Sequence, residues 1–332
     1  MKHILLVATG GTIASEQSEN GLVPGISARH LLESVPEIGE LCHVDAVQAM
    51  NLDSTDMTPE RWLHIAARIR EAYAQYDGFV ITHGTDTMAY TAAALSYLIQ
   101  NADKPVVLTG AQRSIFAQDT DARRNMMDAF AYACEDDSSG VTIVFDGKAI
   151  LGTRARKLRT RSRNAFESID YPPLAQVRDG KVLRYIRMEC HGPVQFSDCM
   201  EDKVAMVKLV PGMDARILAD LRRYCRGLVV EGFGVGGVPD YGDGAFRQAF
   251  SRWAQEQKPV VMTTQVPYEG SDMALYEVGR RAQTGESFLE AYTMTSEATV
   301  VKLMWILGQT RALPEIRRMF YTPIAHDLLW MA

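Results

Sequence analysis

The sequence predicts an α/β fold: a larger N-terminal domain built on a doubly wound, mostly parallel sheet, followed by a smaller C-terminal α/β domain. Short apolar runs recur along the chain and end in Gly, Thr or polar residues, as expected of parallel strands buried on both faces. The segments between them have the pattern of amphipathic helices, and this alternation favours right-handed crossovers. At 332 residues the chain exceeds one ordinary core, so we expect two domains.

Each element follows from a local pattern. Seven strands are predicted, at 3–10, 43–50, 78–84, 105–112, 141–147, 227–233 and 259–265. The helix at 59–76 begins with Pro59 in its first turn, and the helix at 87–100 is rich in Ala and Leu. Gly, Pro and charged residues at 191–203 predict a linker, with an N-terminal domain at 1–190 and a C-terminal α/β domain at 204–332.

Composition excludes several classes of protein. Hydrophobic residues make up 47% and charged residues 23%, and the net charge of -6 argues against a dedicated nucleic-acid binder. Five cysteines without a C-x-x-C pair predict reduced, mostly buried thiols and no zinc site. The apolar runs are too short to span a membrane, and the N-terminus runs straight into a strand without the features of a signal peptide. We therefore expect a cytoplasmic protein that does not bind membranes.

Two glycine-threonine loops are the candidate chemical site. The adjacent glycines of "TGGT" (9–12) fit neither the dinucleotide fingerprint nor the P-loop, which disfavours a nucleotide-dependent oxidoreductase. "HGTDT" (83–87) follows another predicted strand, so both loops should meet at the carboxyl edge of the sheet. A threonine hydroxyl can act as a nucleophile beside a proton acceptor, and glycines leave room for a substrate carbonyl and can turn N–H groups toward it.

Each loop by itself also has a purely structural interpretation. Thr85, Asp86 or Thr87 could cap the helix that follows, because Ser, Thr and Asp are preferred at N-caps. The "TGGT" stretch could be a tight turn between a strand and a helix. The two loops together favour a site over these alternatives.

"ATGGTIAS" and "THGTDTMAYTAAALSYL" resemble the two signature stretches of bacterial L-asparaginases, the second as in the cytoplasmic, type I branch. The likeness extends through "PVVLTGAQ", "DARRNMMDAF", "KVAMVKLVPG", "GLVVEGFGVGGVP" and "EATVVKLMWILGQ", and so covers nearly the whole chain. The resemblance implies hydrolysis of L-asparagine to L-aspartate and ammonia through an acyl-enzyme, without a metal or cofactor. It allows weak glutaminase activity and implies a homodimer or homotetramer.

The resemblance also implies catalytic residues. Thr12 matches the nucleophile, and Thr85 and Asp86 match a proton-transfer network completed by Lys157 in "GTRARK". We treat Thr85, Asp86 and Lys157 as one coupled unit, because the sequence leaves open whether the lysine shares or loses its proton.

Substrate-binding residues follow in the same way. Asp86 is the candidate for the α-ammonium group of asparagine, and Ser54 and Thr55 in "DSTDM" are candidates for its α-carboxylate. Glu297 in "TSEATVVKL" matches a glutamate that closes the pocket from a neighbouring subunit. Without the resemblance, Ser54 is an ordinary loop residue and Glu297 a first-turn acid favoured by the helix dipole.

Two stretches depart from the family pattern. Many relatives carry a tyrosine in the segment after the nucleophile, whereas "SENGLVPG" has Leu22 and no Tyr. The stretch "RARKLRTRSR" (154–163), which we call the basic segment, has six basic residues and no aromatic residue for base stacking. We expect it to be a solvated or inter-subunit face and not a nucleic-acid site.

Two functions on the same scaffold compete with a free amidohydrolase. Asparaginase-like subunits of tRNA-dependent amidotransferases share these motifs, but they carry a β-rich domain before the Gly-Gly-Thr loop. That loop begins here at residue 9, so we do not expect such a domain. A non-catalytic sensor should lack the nucleophile or the lysine, and both Thr12 and Lys157 are present.

Overall fold

The computed structural model describes residues 1–18, 21–275 and 287–329. It divides into two compact units, Met1–Asp198 and Cys199–Ala332. The division falls inside the stretch for which the sequence predicts a linker. Glu19 and Asn20, part of the stretch that departs from the family pattern at Leu22, lie outside the described residues.

An eight-stranded sheet forms the first unit. Its strands and those packed around it are β1 (His3–Gly10), β2 (Ser15–Ser18), β3 (Gly21–Pro24), β4 (His43–Leu52), β5 (Gly78–Thr82), β6 (Ile99–Gln100), β7 (Pro105–Thr109), β8 (Gly140–Phe145), β9 (Lys148–Leu151), β10 (Ala155–Lys157), β11 (Phe166–Ser168), β12 (Ala175–Arg178), β13 (Lys181–Arg184) and β14 (Gln195–Phe196). Across the large sheet the order is β13-β12-β9-β8-β7-β5-β1-β4.

The helices of this unit are α1 (Ala28–Glu33), α2 (Ile38–Leu41), α3 (Pro59–Ala72), α4 (Met88–Leu98) and α5 (Ala122–Cys134), with short 3-10 helices at Thr12–Ala14 and Ser54–Asp56. Thr58 caps α3, since its side chain accepts the backbone N–H of Arg61, and Pro59 occupies the first turn. Helix α4 is buried on nearly every side, which explains why its sequence is predominantly apolar.

The strand order determines where a ligand can bind. Strands β4, β1, β5, β7 and β8 lie side by side in this order and are parallel. In the sequence, however, the order of these strands is β1, β4, β5, β7 and β8. The chain therefore leaves β1 toward one edge of the sheet and leaves β5 toward the other. The connections from β1 and β5 therefore lead to opposite sides of the sheet. In such sheets the crevice at the carboxyl ends of these two strands is the usual ligand site.

The second unit has its own parallel sheet, in the order β15-β16-β17-β18. Its elements are β15 (Val204–Lys208), α6 (Arg216–Leu221), β16 (Gly227–Gly232), α7 (Tyr241–Gln255), β17 (Val260–Thr264), β18 (Phe288–Glu290), α8 (Ser296–Gln309) and α9 (Leu313–Tyr321). Trp253 is fully buried in the core of this unit and donates its indole N–H to the Leu218 carbonyl at 2.8 Å. Lys302 and Asp327 form a fully buried ion pair at 2.6 Å.

The predicted fold class is confirmed, and the differences are local. The antiparallel strands β9 to β13 were not predicted, because they are short and lack a long apolar run. The predicted helix at 87–100 ends at Leu98, because Ile99 and Gln100 pair with Phe196 and Gln195.

The cysteines also differ from the expectation. None of the five is in a disulfide bond, but Cys190 and Cys199 are exposed, so the thiols are not mostly buried. Both exposed cysteines lie in the polar stretch where the chain passes from one unit to the other, which has too few apolar residues to cover them.

Candidate active site

The loop after β1 is held in a conformation that requires glycine. Gly10 has φ +102° and Gly11 has φ +82° with ψ 178°, a region that residues with a side chain rarely enter. A Cβ on Gly11 would lie 2.3 Å from the backbone nitrogen of Gly84, and one on Gly10 would lie 2.6 Å from the Leu52 backbone. The glycines therefore let the β1 loop pack directly against the β5 loop and the end of β4.

This packing limits one expectation about the glycines, which otherwise stays a prediction. We expected them to leave space for a substrate carbonyl and to aim N–H groups at it. The space beside Gly11 is filled by Gly84, and the Gly11 N–H donates to the Leu52 carbonyl at 3.0 Å. Contacts between the β1 loop and its neighbours in the same chain, which the sequence does not display, therefore use this space and the Gly11 N–H.

The loop after β5 lies against the first loop. Gly84 packs on the buried Ser54 side chain, whose Oγ would be 2.6 Å from a Cβ on Gly84. Thr9 donates its hydroxyl to the Thr82 carbonyl at 2.9 Å. Since Thr12 and Thr85 each follow one of the two touching glycines, both threonines lie at the same place on the sheet edge.

Lys157 connects the side chains of the second loop. Its Nζ donates to Thr85 Oγ1 at 2.8 Å and lies 2.7 Å from Asp86 Oδ1. The Lys157 side chain is 15% exposed, whereas that of Asp86 is 61% exposed. The antiparallel pairing of β10 with β11 places Lys157 opposite Phe166 and fixes its backbone. Sequence positions 85, 86 and 157 thus form one hydrogen-bonded group.

Gln112 is part of this group and was not singled out from the sequence. It follows β7, and its Oε1 accepts the hydroxyl of Thr85 at 3.3 Å. Its amide nitrogen donates to the carbonyls of Ser162 at 3.1 Å and Arg159 at 3.5 Å. Gln112 ends the quoted stretch "PVVLTGAQ" at the same carboxyl edge as the two loops, which is the signal that could have identified it.

His83 holds the loop after β5 through hydrogen bonds, and it was not singled out from the sequence either. It is fully buried, with Nδ1 at 2.7 Å from the Gly84 carbonyl and Nε2 at 2.9 Å from Thr91 Oγ1. The Trp62 indole N–H donates to the same Thr91 oxygen at 2.9 Å, so the Thr91 proton points to His83 Nε2. Nδ1 then carries the imidazole proton and donates it to Gly84. Burial lowers the pKa of His83 to about 4, which keeps the ring neutral.

The remaining predicted residues have different surroundings. Ser54 is buried beside Gly84, and its carbonyl accepts the Thr87 hydroxyl at 2.7 Å. Thr55 is exposed, and its hydroxyl donates to Asp53 at 2.8 Å. Glu297 belongs to the second unit, where it is buried in the first turn of α8.

The structure excludes one plain interpretation and limits another. Thr87 is the N-cap residue of α4, but its side chain makes no capping hydrogen bond there and donates to the Ser54 carbonyl instead. In the basic segment Arg154 is fully buried in the turn that joins β9 to β10, so the segment is not a solvated face throughout. Arg161 and Arg163 are exposed, and Arg159 pairs with Glu167 at 2.8 Å.

Neither a metal centre nor a membrane span is found in the part of the chain that the structure describes. Among residues 1–18, 21–275 and 287–329, no three His, Cys, Asp or Glu side chains are grouped so that they could hold an ion. Within the same ranges, no helix has both the length and the apolar character needed to cross a membrane.

Comparison with known proteins agrees with this architecture. Residues 3–189 match the family model "Asparaginase, N-terminal", and residues 203–320 match "Glutaminase/Asparaginase C-terminal domain". The chain is 41% identical over 329 residues to an L-asparaginase of Thermococcus kodakarensis, covering 98% of both chains. The solved structure of a thermostable L-asparaginase from that organism matches with a TM-score of 0.92 at 40% identity, over 99% of this chain and 100% of the other.

A second kind of relative is also similar. The chain is 38% identical over 340 residues to one subunit of the glutamyl-tRNA(Gln) amidotransferase of Pyrococcus furiosus. The match covers 98% of this chain and 76% of that protein.

Proposed function

The chain belongs to the asparaginase family, and on that premise we propose that it hydrolyses L-asparagine to L-aspartate and ammonia. One observation carries the proposal. The Lys157 ammonium lies within 2.8 Å of Thr85 Oγ1 and 2.7 Å of Asp86 Oδ1, beside the contact between Gly11 and Gly84. A hydroxyl on the adjoining loop would have a proton-transfer network within reach, which is what a threonine nucleophile needs.

We assign the attack to Thr12. Its Oγ1 adds to the carboxamide carbon, and its proton passes into the coupled unit of Thr85, Asp86 and Lys157. The unit returns a proton to the leaving nitrogen, ammonia departs, and an aspartyl ester remains on Thr12. Water then hydrolyses the ester, giving aspartate and the free threonine. Since Gly11 donates its N–H to Leu52, we assign it no part in stabilising the oxyanion.

Substrate recognition follows from the charges of asparagine. One oxygen of Asp86 meets Lys157, and the second can accept the α-ammonium group. We assign the α-carboxylate to the buried Ser54 hydroxyl, with Thr55 at the edge of the site. Glu297 is assigned to the pocket of a neighbouring copy, in a homodimer or homotetramer.

The finer assignments are part of the same proposal. We place the chain in the bacterial type I branch, as a cytoplasmic enzyme with weak glutaminase activity and no metal or cofactor. The motif "THGTDTMAYTAAALSYL" supports the branch.

The experiment is ammonia release from asparagine and glutamine by the wild type, Thr12→Ala and Thr12→Ser. Thr12→Ala should fold normally and lose kcat by about a thousandfold or more. Thr12→Ser keeps a hydroxyl at the same place and should retain kcat within about tenfold. If Thr12→Ala stays within about tenfold of the wild type, Thr12 is not the nucleophile. If the wild type releases no ammonia from asparagine, the proposed function is refuted.

The similarity to the amidotransferase protein of Pyrococcus furiosus supports a second candidate, in which the ammonia is released for a partner protein. The isolated chain distinguishes the two. Steady turnover of free asparagine favours the first function, whereas turnover that requires an aminoacyl-tRNA and added partner proteins favours the second.

A further inference from the structure

We propose that Gln112 is a positioning residue that fixes the direction of the Thr85 hydroxyl proton, and that the backbone of the basic segment fixes Gln112 in turn. This inference rests on the proposed function, because it gives Thr85 a part in moving protons. It also gives the basic segment a role that its charges do not explain.

The Thr85 hydroxyl has one donor and one acceptor beside it. Lys157 donates to Thr85 Oγ1 at 2.8 Å, and an ammonium group has no lone pair with which to accept a proton in return. The Thr85 proton must therefore point elsewhere, and Gln112 Oε1 lies at 3.3 Å to accept it. As long as Lys157 is charged, the Thr85 hydroxyl accepts a hydrogen bond from the lysine and donates one to the glutamine.

The amide of Gln112 can take only one orientation. Backbone carbonyls only accept hydrogen bonds, and those of Ser162 and Arg159 lie 3.1 and 3.5 Å from the Gln112 side-chain nitrogen. The nitrogen therefore faces the basic segment and the oxygen faces Thr85. The backbone carbonyls of Ser162 and Arg159, and not the side chains of these residues, therefore decide that the oxygen of the Gln112 amide faces the active site.

The two segments that meet at Gln112, the loop after β7 and the basic segment, are both held in place by hydrogen bonds. The Asp121 carboxylate accepts the backbone N–H groups of Gln112 at 2.9 Å and Arg113 at 3.0 Å. On the other side, the Arg159 guanidinium donates to the Asn164 carbonyl and to Glu167, each at 2.8 Å, and closes the turn of the basic segment. Gln112 thus bridges two anchored segments, which is the arrangement that preorganises a hydroxyl.

This arrangement couples two events. When Lys157 is charged, the Thr85 proton lies on the Gln112 side. When Lys157 is neutral, the same hydroxyl can turn and donate to the lysine nitrogen. The hydrogen bond to Gln112 therefore stabilises the state in which Lys157 has taken up a proton. Without it, the charged state leaves the Thr85 proton undirected and proton transfer should slow.

Two substitutions test this in the full-length protein with asparagine as substrate. Gln112→Met keeps the chain length and removes every hydrogen bond, so kcat should fall about tenfold or more while KM stays within about threefold. Gln112→Glu resembles the amide only when it is protonated, since the ionised carboxylate repels the carbonyls of Ser162 and Arg159. Its kcat relative to the wild type should therefore rise as the pH is lowered from about 8 to about 5. A purely structural role would give a flat ratio.

Other charged groups surround the contact, and their own titration is common to both enzymes, so the ratio of the two kcat values reports the substituted side chain. They are Lys157 and Asp86 at Thr85, Asp121 under the β7 loop, and Arg159 with Glu167 in and beside the basic segment. The matched control is Arg161→Gln, which removes an exposed charge from the basic segment and leaves its carbonyls in place. Its kcat should equal that of the wild type.

Each outcome decides one claim. A wild type that hydrolyses asparagine, together with Gln112→Met at a kcat within about twofold, overturns the role of Gln112 and leaves the proposed function standing. A flat pH ratio for Gln112→Glu overturns it as well, even if Gln112→Met does not fold. A loss of kcat in Arg161→Gln would assign the effect to charge and overturn the proposal. A wild type without activity refutes the proposed function itself.

Discussion

Gly11→Ala tests whether the two loops are held together by glycine contact. Gly11 has φ +82° and ψ 178°, where a residue with a side chain costs about 1–3 kcal/mol. The new Cβ would lie 2.3 Å from Gly84 N and 2.4 Å from Gly84 Cα. Because both atoms are backbone, the loops must separate by about 1 Å, and such overpacking costs about 1–3 kcal/mol more.

The expected loss is therefore about 2–6 kcal/mol of the free energy of unfolding, a large part of the total of a domain. Separation of the loops by about 1 Å should also lower kcat by about a hundredfold in the protein that remains folded, because Thr12 follows Gly11 directly. Urea unfolding gives the first quantity and ammonia release gives the second.

Gly39→Ala is the matched control. No atom lies within 4 Å of a Cβ built on Gly39, which is in α2. This substitution should stabilise the protein slightly, by about 0.5–1 kcal/mol, and leave kcat unchanged. If Gly11→Ala matched Gly39→Ala in both stability and kcat, the two loops would not depend on their glycine contact and the reasoning would be wrong.

Three further predictions concern the groups around the loops. Lys157→Met should lower kcat by about a thousandfold, whereas Lys181→Met, at an exposed position of the edge strand β13, should leave it within about twofold in the same ammonia assay. Thr91→Val leaves the Trp62 indole N–H and His83 Nε2 without their shared partner and should lower the free energy of unfolding by about 2 kcal/mol. Thr91→Ser should lose less than half of that in urea titrations. Burial holds the pKa of His83 at about 4 in the folded protein, below its value near 6.5 when unfolded. Its contribution, about 3 kcal/mol, should be complete above about pH 6.5 and lost as the pH falls toward about 4, and this slope should be absent from urea titrations of His83→Asn.

The sequence predicted the large-scale fold because buried parallel strands leave a strong pattern. The strands at 3–10, 78–84 and 105–112 start where β1, β5 and β7 start, since each is a continuous apolar run with a clear boundary. Short antiparallel strands such as β10 and β11 have no such pattern. They are three residues each, yet they bring Lys157 to the site.

The candidate site was predicted in part for a similar reason. Thr85, Asp86 and Lys157 were expected to interact, and Lys157 is hydrogen-bonded to both Thr85 and Asp86, while their catalytic roles stay predictions. Gln112 and His83 were missed, since a glutamine after a strand and a buried histidine look ordinary until their partners are known. Those partners lie as far as 50 positions away in the chain.

By itself, the sequence determined the alternation of strands and helices, the two units, and the residue types placed at the carboxyl edge of the first sheet. Each of these depends on neighbours in the chain, and periodicity and turn chemistry report them. Only the tertiary structure decided that Gly11 touches Gly84, that Gln112 meets Thr85, and that the carbonyls of the basic segment orient that glutamine. All three contacts join segments that are far apart in the chain, and two of them involve backbone atoms, which are the same for every sequence, so local patterns of side chains do not report them.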